Sequence, residues 1–366
     1  MVAGKAGSLG EMSNFANPKK MELALFLLML FPLFIPVANA EPEASSTTVG
    51  KIPYGIAYDL GKGEVFVTNA ESNTVSVISV NNDTVLGTIA VGTAPHGIAY
   101  DQGKGELFVA NLLSDSVSVI SDQNNTVIDT VSVGSGPHGI AYDSRRGEVF
   151  VANEKSGTVS VISDSTDMVI ASVQVRGIPF EMAYDPQTDE VFVTSSDSTI
   201  SAISDKTDAV VATFKAGGYP FGIAYDPVMD EVFVTGTNSS VSAISASTGK
   251  TVAAIQVGNN PYYIAPGPAG EMLVTRYNSD TISVISDKSN MVVETADIGK
   301  IPFGAVYDPQ DDEVFTTIHN SDTVSSLRLS MPVPEFSFAA PPLLIGIVIL
   351  YLARLAFSGS GKPLDV

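Results

Sequence analysis

A proline recurs at Pro53, Pro95, Pro137, Pro179, Pro220, Pro261 and Pro302, in steps of 42, 42, 42, 41, 41 and 41 residues. A unit this short cannot bury an apolar face alone, so a chain with this period must fold by packing successive units against one another. Each proline opens a run ending in Tyr-Asp, as in PYGIAYD (Pro53 to Asp59) and PHGIAYD (Pro95 to Asp101). EVFVTN (Glu64 to Asn69) or EVFVAN (Glu148 to Asn153) comes next, then TVSVIS, then a weaker run such as VIASVQV (Val169 to Val175). The runs are short, rich in β-branched residues and separated by Gly, Asn, Asp and Pro, which predicts four strands per unit rather than helices. The second run is almost continuously apolar, as a strand covered on both faces must be.

Four-stranded units of this size, repeated radially, form a β-propeller. The seventh unit stops after its third strand, near Leu329, while TTVG (Thr47 to Gly50) stands where other units carry VSVG or IQVG. The N-terminal segment therefore supplies the fourth strand of blade seven. The expected fold is all-β: a seven-bladed β-propeller of four-stranded antiparallel blades, closed by the N-terminal strand, plus one C-terminal transmembrane helix.

Over roughly residues 45 to 330, the units resemble the YVTN-type β-propeller repeat proteins. The resemblance rests on FVTN at Phe66 to Asn69 and FVAN at Phe108 to Asn111 and Phe150 to Asn153. Blades four to seven depart from the motif with FVTS, FVTG, LVTR and FTTI. The resemblance implies the fold, but such propellers include surface-layer proteins, redox-enzyme subunits and sugar-lactone hydrolases, so activity has to be argued from the site.

The ends of the chain address it to a membrane. Lys19 and Lys20 precede an apolar run that closes on Ala38-Asn39-Ala40, the pattern of a signal peptide over residues 1–40, cut by a signal peptidase. An uncleaved N-terminal anchor is the alternative. The propeller is assigned to residues 41–330 and a linker to 331–337. Residues 338–357, FAAPPLLIGIVILYLARLAF, are long enough to cross a hydrocarbon core of about 30 Å. The tail, 358–366, is placed in the cytoplasm by Arg354 and Lys362. Within the linker, Pro334-Glu335-Phe336 resembles the PEF-type sorting signal of archaeal surface proteins, which implies a membrane sorting enzyme as a partner. The expected location is the outer face of the cell membrane, single-pass with the C-terminus inside.

A net charge of −21 opposes binding to nucleic acid, which needs a positive patch. The chain has no cysteine, hence no disulfide or thiolate chemistry. Neither a catalytic motif nor a cofactor motif is present, and the recurring acids of the Tyr-Asp and Asp-Glu positions read as turn residues.

Candidate ligand contacts cluster where the first strands open the channel. The residue after each proline is Tyr54, His96, His138, Phe180, Phe221, Tyr262 or Phe303, a ring of aromatic and imidazole groups. Packing among the rings and a ligand platform are both open readings. His96, His138 and the second-to-third-loop His319 raise a metal site, but no carboxylate pattern completes it and none is assigned. The repeat breaks its own pattern at Glu181 and Tyr263, where five blades carry glycine, and at Arg176 and Arg276. Such violations mark functional or strained positions. Glu181 and Arg176 are near enough in sequence to pair with each other. Asn82, Asn124 and Asn238 open glycosylation sequons. The function expected is an envelope binding or scaffold module for proteins or glycans, with a lactonase-like, redox or metal-binding enzyme at the channel mouth as the alternative.

Overall fold

The computed structural model describes residues 44–329. The expected signal peptide, sorting motif, membrane span and tail lie outside the described residues. No helix among the described residues is long and apolar enough to cross a membrane.

Seven separate four-stranded antiparallel sheets form, each in simple first-to-fourth order for blades one to six. Blade one comprises Pro53–Asp59, Glu64–Asn69, Thr74–Ser79 and Thr84–Ala90. First strands begin at the repeat prolines and lie beside the first strands of the neighbouring blades around a central channel. The register Pro53 to Asn69 puts the start of the first strand at the same end of the channel as the second-to-third loop.

Blade seven is composite. Its outer strand is Ser45–Thr48, paired antiparallel with Thr323–Arg328, so the two ends of the body close the ring. The paired residues lie slightly earlier than TTVG. Gly50 lies beyond the paired strand, where a Cβ would come within 2.6 Å of the Asn69 side chain of blade one.

The core lies between blades, and each apolar cluster joins two of them. Phe66, Val75 and Val77 of blade one pack on Leu107, Val109 and Ile120 of blade two. Phe315 and Val324 of blade seven pack on Ile56, Val67 and Ile78 of blade one in the same way. This explains the continuously apolar second strands, since both of their faces meet a neighbouring blade.

The Tyr-Asp dipeptide serves two purposes. Asp59 Oδ1 accepts from the amides of Gly61 and Lys62, shaping the hairpin. Tyr58, meanwhile, reaches across the seam to Asp308 of blade seven at 2.8 Å. Threonines of the second strands tie the blades together near the other channel mouth. Thr68 Oγ1 accepts from the Gly55 amide and donates to the His96 carbonyl of the next blade, and Thr235 does the same for Gly222 and Tyr262. Blades two and three carry Ala110 and Ala152 instead.

Candidate functional site

The seven post-proline rings converge because a register shift in each first strand, between the proline and the third residue after it, turns these side chains toward the axis. They pack on one another. Tyr54 lies 4.3 Å from His96, 4.7 Å from Phe303 and 5.6 Å from His138, centroid to centroid. Phe221 lies 4.0 Å from Tyr262 and 5.5 Å from Phe180, and Tyr262 lies 4.6 Å from Phe303. Most of these separations fall in the range of about 4.5–7 Å usual for aromatic pairs, with Tyr54–His96 and Phe221–Tyr262 closer still. His319 stacks on Phe303 at 4.6 Å, and Tyr277 and Tyr219 extend the cluster outward.

Within this plug runs a line of polar contacts. Glu181 Oε1 lies 3.2 Å from His138 Nδ1, and His138 Nε2 lies 3.1 Å from the Tyr54 hydroxyl. The Tyr54 hydroxyl is in turn 3.1 Å from that of Tyr262. Gly139 creates the space for this, since a Cβ there would come within 2.9 Å of Glu181 Oε2. Burial first, then Tyr262 and the Glu181 carboxylate, push the Tyr54 phenol well above its usual range. Glu181 and Tyr263, the two irregular residues, line a small enclosed recess of about 20 Å³ beneath the plug, with Tyr54, Gly97 and Phe303. At the opposite mouth, a wider recess of about 500 Å³ is lined by Tyr100, Asp101, Tyr142, Ser144 and Tyr184.

Several sequence candidates lie apart from this assembly. Arg176 is exposed and faces Asp197 at 3.5 Å, so Glu181 takes His138 as its partner instead of Arg176. Arg176 sits on the connection between Met168–Gln174 and the first strand Pro179–Asp185, outside the plug. Arg276 is held by the Val257 carbonyl at 2.6 Å and by Thr281. Asn82, Asn124 and Asn238 are exposed on turns. No group of three or more His, Asp or Glu that could hold a metal occurs among the described residues.

His96 Nδ1 donates to the Ala94 carbonyl at 3.1 Å. Burial first, then the neighbouring His138, hold His96 down to about 3, against an ordinary value of 6.5. The folded protein therefore refuses a proton that the unfolded chain accepts. The stability this contributes is present above about pH 6.5 and is lost as pH falls toward about 3, by at most about 1.4 kcal/mol per pH unit. Replacing His96 with Phe, the residue of blades four, five and seven, removes this share. Denaturant unfolding on either side of the window should show a shallower acid slope for His96→Phe than for the parent, and equal slopes would refute the assignment.

The outer rim carries a feature that sequence reading missed. Every fourth strand from blade one to blade six contains a bulge, whose extra residue is Leu86, Ile128, Ile170, Val211, Val252 or Val293. All six are aliphatic and 49% to 54% exposed. The composite strand of blade seven pairs without one. The signal was present as an apolar residue at one fixed place in each weak fourth run, but nothing in the sequence distinguishes a bulge residue pointing outward from a core residue.

No protein-family model and no curated protein matches this sequence. Among solved structures, the fold is similar to Kuenenia stuttgartiensis hydrazine synthase, with a TM-score of 0.70 and 17% identity, covering 81% of this chain and 99% of that one. Identity this low shows a shared propeller fold.

Proposed function

We propose that this chain is a non-catalytic binding and scaffold module of the cell envelope, displayed outside the membrane, whose protein partners dock on the propeller rim. The observation that carries the reading is the row of six exposed aliphatic bulge residues, one per blade. Bulges ordinarily protect sheet edges from pairing, and they do not require an apolar side chain in water. Scattered apolar exposure is unremarkable, whereas the same exposure at six equivalent positions is a patterned surface. The six strands are also sparsely charged for an acidic body, their only charges being Asp129, Lys215, Glu294 and Asp297. Aliphatic knobs without aromatic faces suit a protein better than a glycan, which stacks on rings. The signal-like N-terminus, the apolar C-terminal stretch and the resemblance of FVTN, FVAN and VPEF to envelope-protein motifs support the location.

Affinity capture from envelope extract tests this, using the full chain and a variant with all six bulge residues changed to Thr. Proteins held by the parent should be lost from the variant. An unchanged captured set, a glycan as the only captured species, or robust turnover of lactones by the purified protein refutes it.

A second reading is favoured by one observation, the Glu181, His138, Tyr54 and Tyr262 line beside its recess. An enzyme or redox subunit would use that line at the channel. Metal analysis with His96→Ala and His138→Ala tests it: unchanged metal content and ligand binding exclude it.

A further inference from the structure

The repeat provides its own comparison for a buried acidic site between blades three and four. At the seam between blades one and two, Asp122 follows the third strand of blade two, and its Oδ1 lies 3.1 Å from Lys62 Nζ. That ammonium also donates to the Asp122 carbonyl, and the Tyr100 hydroxyl satisfies Oδ2 at 2.8 Å. The next seam repeats the arrangement with Lys104, Asp164 and Tyr142.

At the third seam the acids remain and the cation is gone. Asp205 takes the place of Asp122 and Asp164, while Arg146 takes the place of the lysines. Arg146 turns away to Glu148, at 3.1 Å. The two other nearby cations, Arg145 and Lys206, both go to Asp189, at 2.6 and 2.8 Å. Asp205 is 1% exposed, yet neither of its carboxylate oxygens has a partner. Across the seam, Asp143 is fully buried, with its Oδ2 unpartnered as it is in the equivalent Asp59 and Asp101, so that Asp205 is what sets this seam apart. The Tyr184 hydroxyl, counterpart of those of Tyr100 and Tyr142, does not reach Asp205. Two facing carboxylates in the interior require a counter-charge. Among the described residues, no ammonium or guanidinium lies within ion-pair distance of Asp205, unlike Asp122 and Asp164 at the two preceding seams.

We propose that the seam of blades three and four binds a hard metal cation between Asp143 and Asp205, where lysine ammonium groups sit at the two preceding seams. The donors are all oxygen: two carboxylates and, by equivalence with Asp122 and Asp164, the Asp205 carbonyl, with water completing the shell. Such a set suits calcium-like or potassium-like ions rather than soft metals. Ser144 and Tyr184, which adjoin the pair, line the wider channel recess and offer a route from solvent.

The test is thermal unfolding of the full chain at about pH 7.5, where carboxylates are ordinarily ionised, with Ca²⁺ and K⁺ added separately to chelator-treated protein. The parent should gain a few degrees with one of the two ions and bind it at one site per chain by calorimetry. Arg146→Lys should restore the internal ammonium, raising the melting temperature without added ion and abolishing the response. Asp205→Asn should also abolish it. No response to either ion overturns the proposal. So does an equal response in parent and both variants, which would report screening of the acidic surface.

Discussion

Deleting Ser45 to Thr48 is expected to cost more stability than any single substitution outside the core, because among the described residues these four form the outer strand of blade seven. Without them Thr323–Arg328 becomes an exposed edge with unpaired amides and carbonyls. Links to blade one are lost too: Thr47 donates to the Asp83 carbonyl at 2.7 Å and Ser45 to the Asp83 carboxylate at 2.5 Å. At roughly 1 kcal/mol net for each of several hydrogen bonds, the loss is about 4 kcal/mol, a large share of a typical domain's stability. The seam itself persists, since Thr317 still reaches the Tyr54 carbonyl at 2.8 Å and Asp322 still holds the Ile52 amide at 2.9 Å. The expected result is thus a folded but weakened and aggregation-prone propeller. A melting temperature within a degree or two of the parent would show that the ring closes without this strand.

The second large effect concerns Glu181. Replacing it with Ala removes the acid facing the nearly inaccessible His138 imidazole and opens a void over Gly139. Removing one of two buried polar groups that face each other leaves the other without a polar neighbour, at a cost of about 1–3 kcal/mol. The repeat supplies a rescue: Glu181→Gly restores the residue of five other blades, and His138→Phe restores the ring of blades four, five and seven. Each single change should destabilise, and the double variant should be more stable than the sum of the two predicts. A double-mutant cycle by denaturant unfolding measures this coupling. Additive effects would mean that Glu181 and His138 sit together without interacting, and would remove the structural basis for a relay at the channel.

The pattern of agreement between sequence and structure follows the range of the interactions. First strands begin at the repeat prolines, second strands at the recurring glutamate or its equivalent, and the hairpins turn on the aspartate of Tyr-Asp, because turn chemistry and strand pairing act over a few residues. The ring of seven post-proline groups was legible for the same reason, as one position seen seven times. Glu181 was not paired correctly from sequence, because its partner lies 43 residues upstream on the preceding blade while Arg176 is only five away. Asp205 falls in none of the motifs that the sequence makes conspicuous. Only the position of Lys62 and Lys104 against Asp122 and Asp164 makes Arg146 at the next seam a departure.

The 41- and 42-residue period determined seven units, the short β-branched runs inside it four strands in each, and the TTVG segment a ring closed by the N-terminal strand, since every unit must bury both faces of its apolar second strand against a neighbour. Which polar groups meet across those faces was decided only by the tertiary structure. Contacts between blades depend on the angle and spacing of whole sheets, and a residue's partner there is set by where the next blade comes to rest.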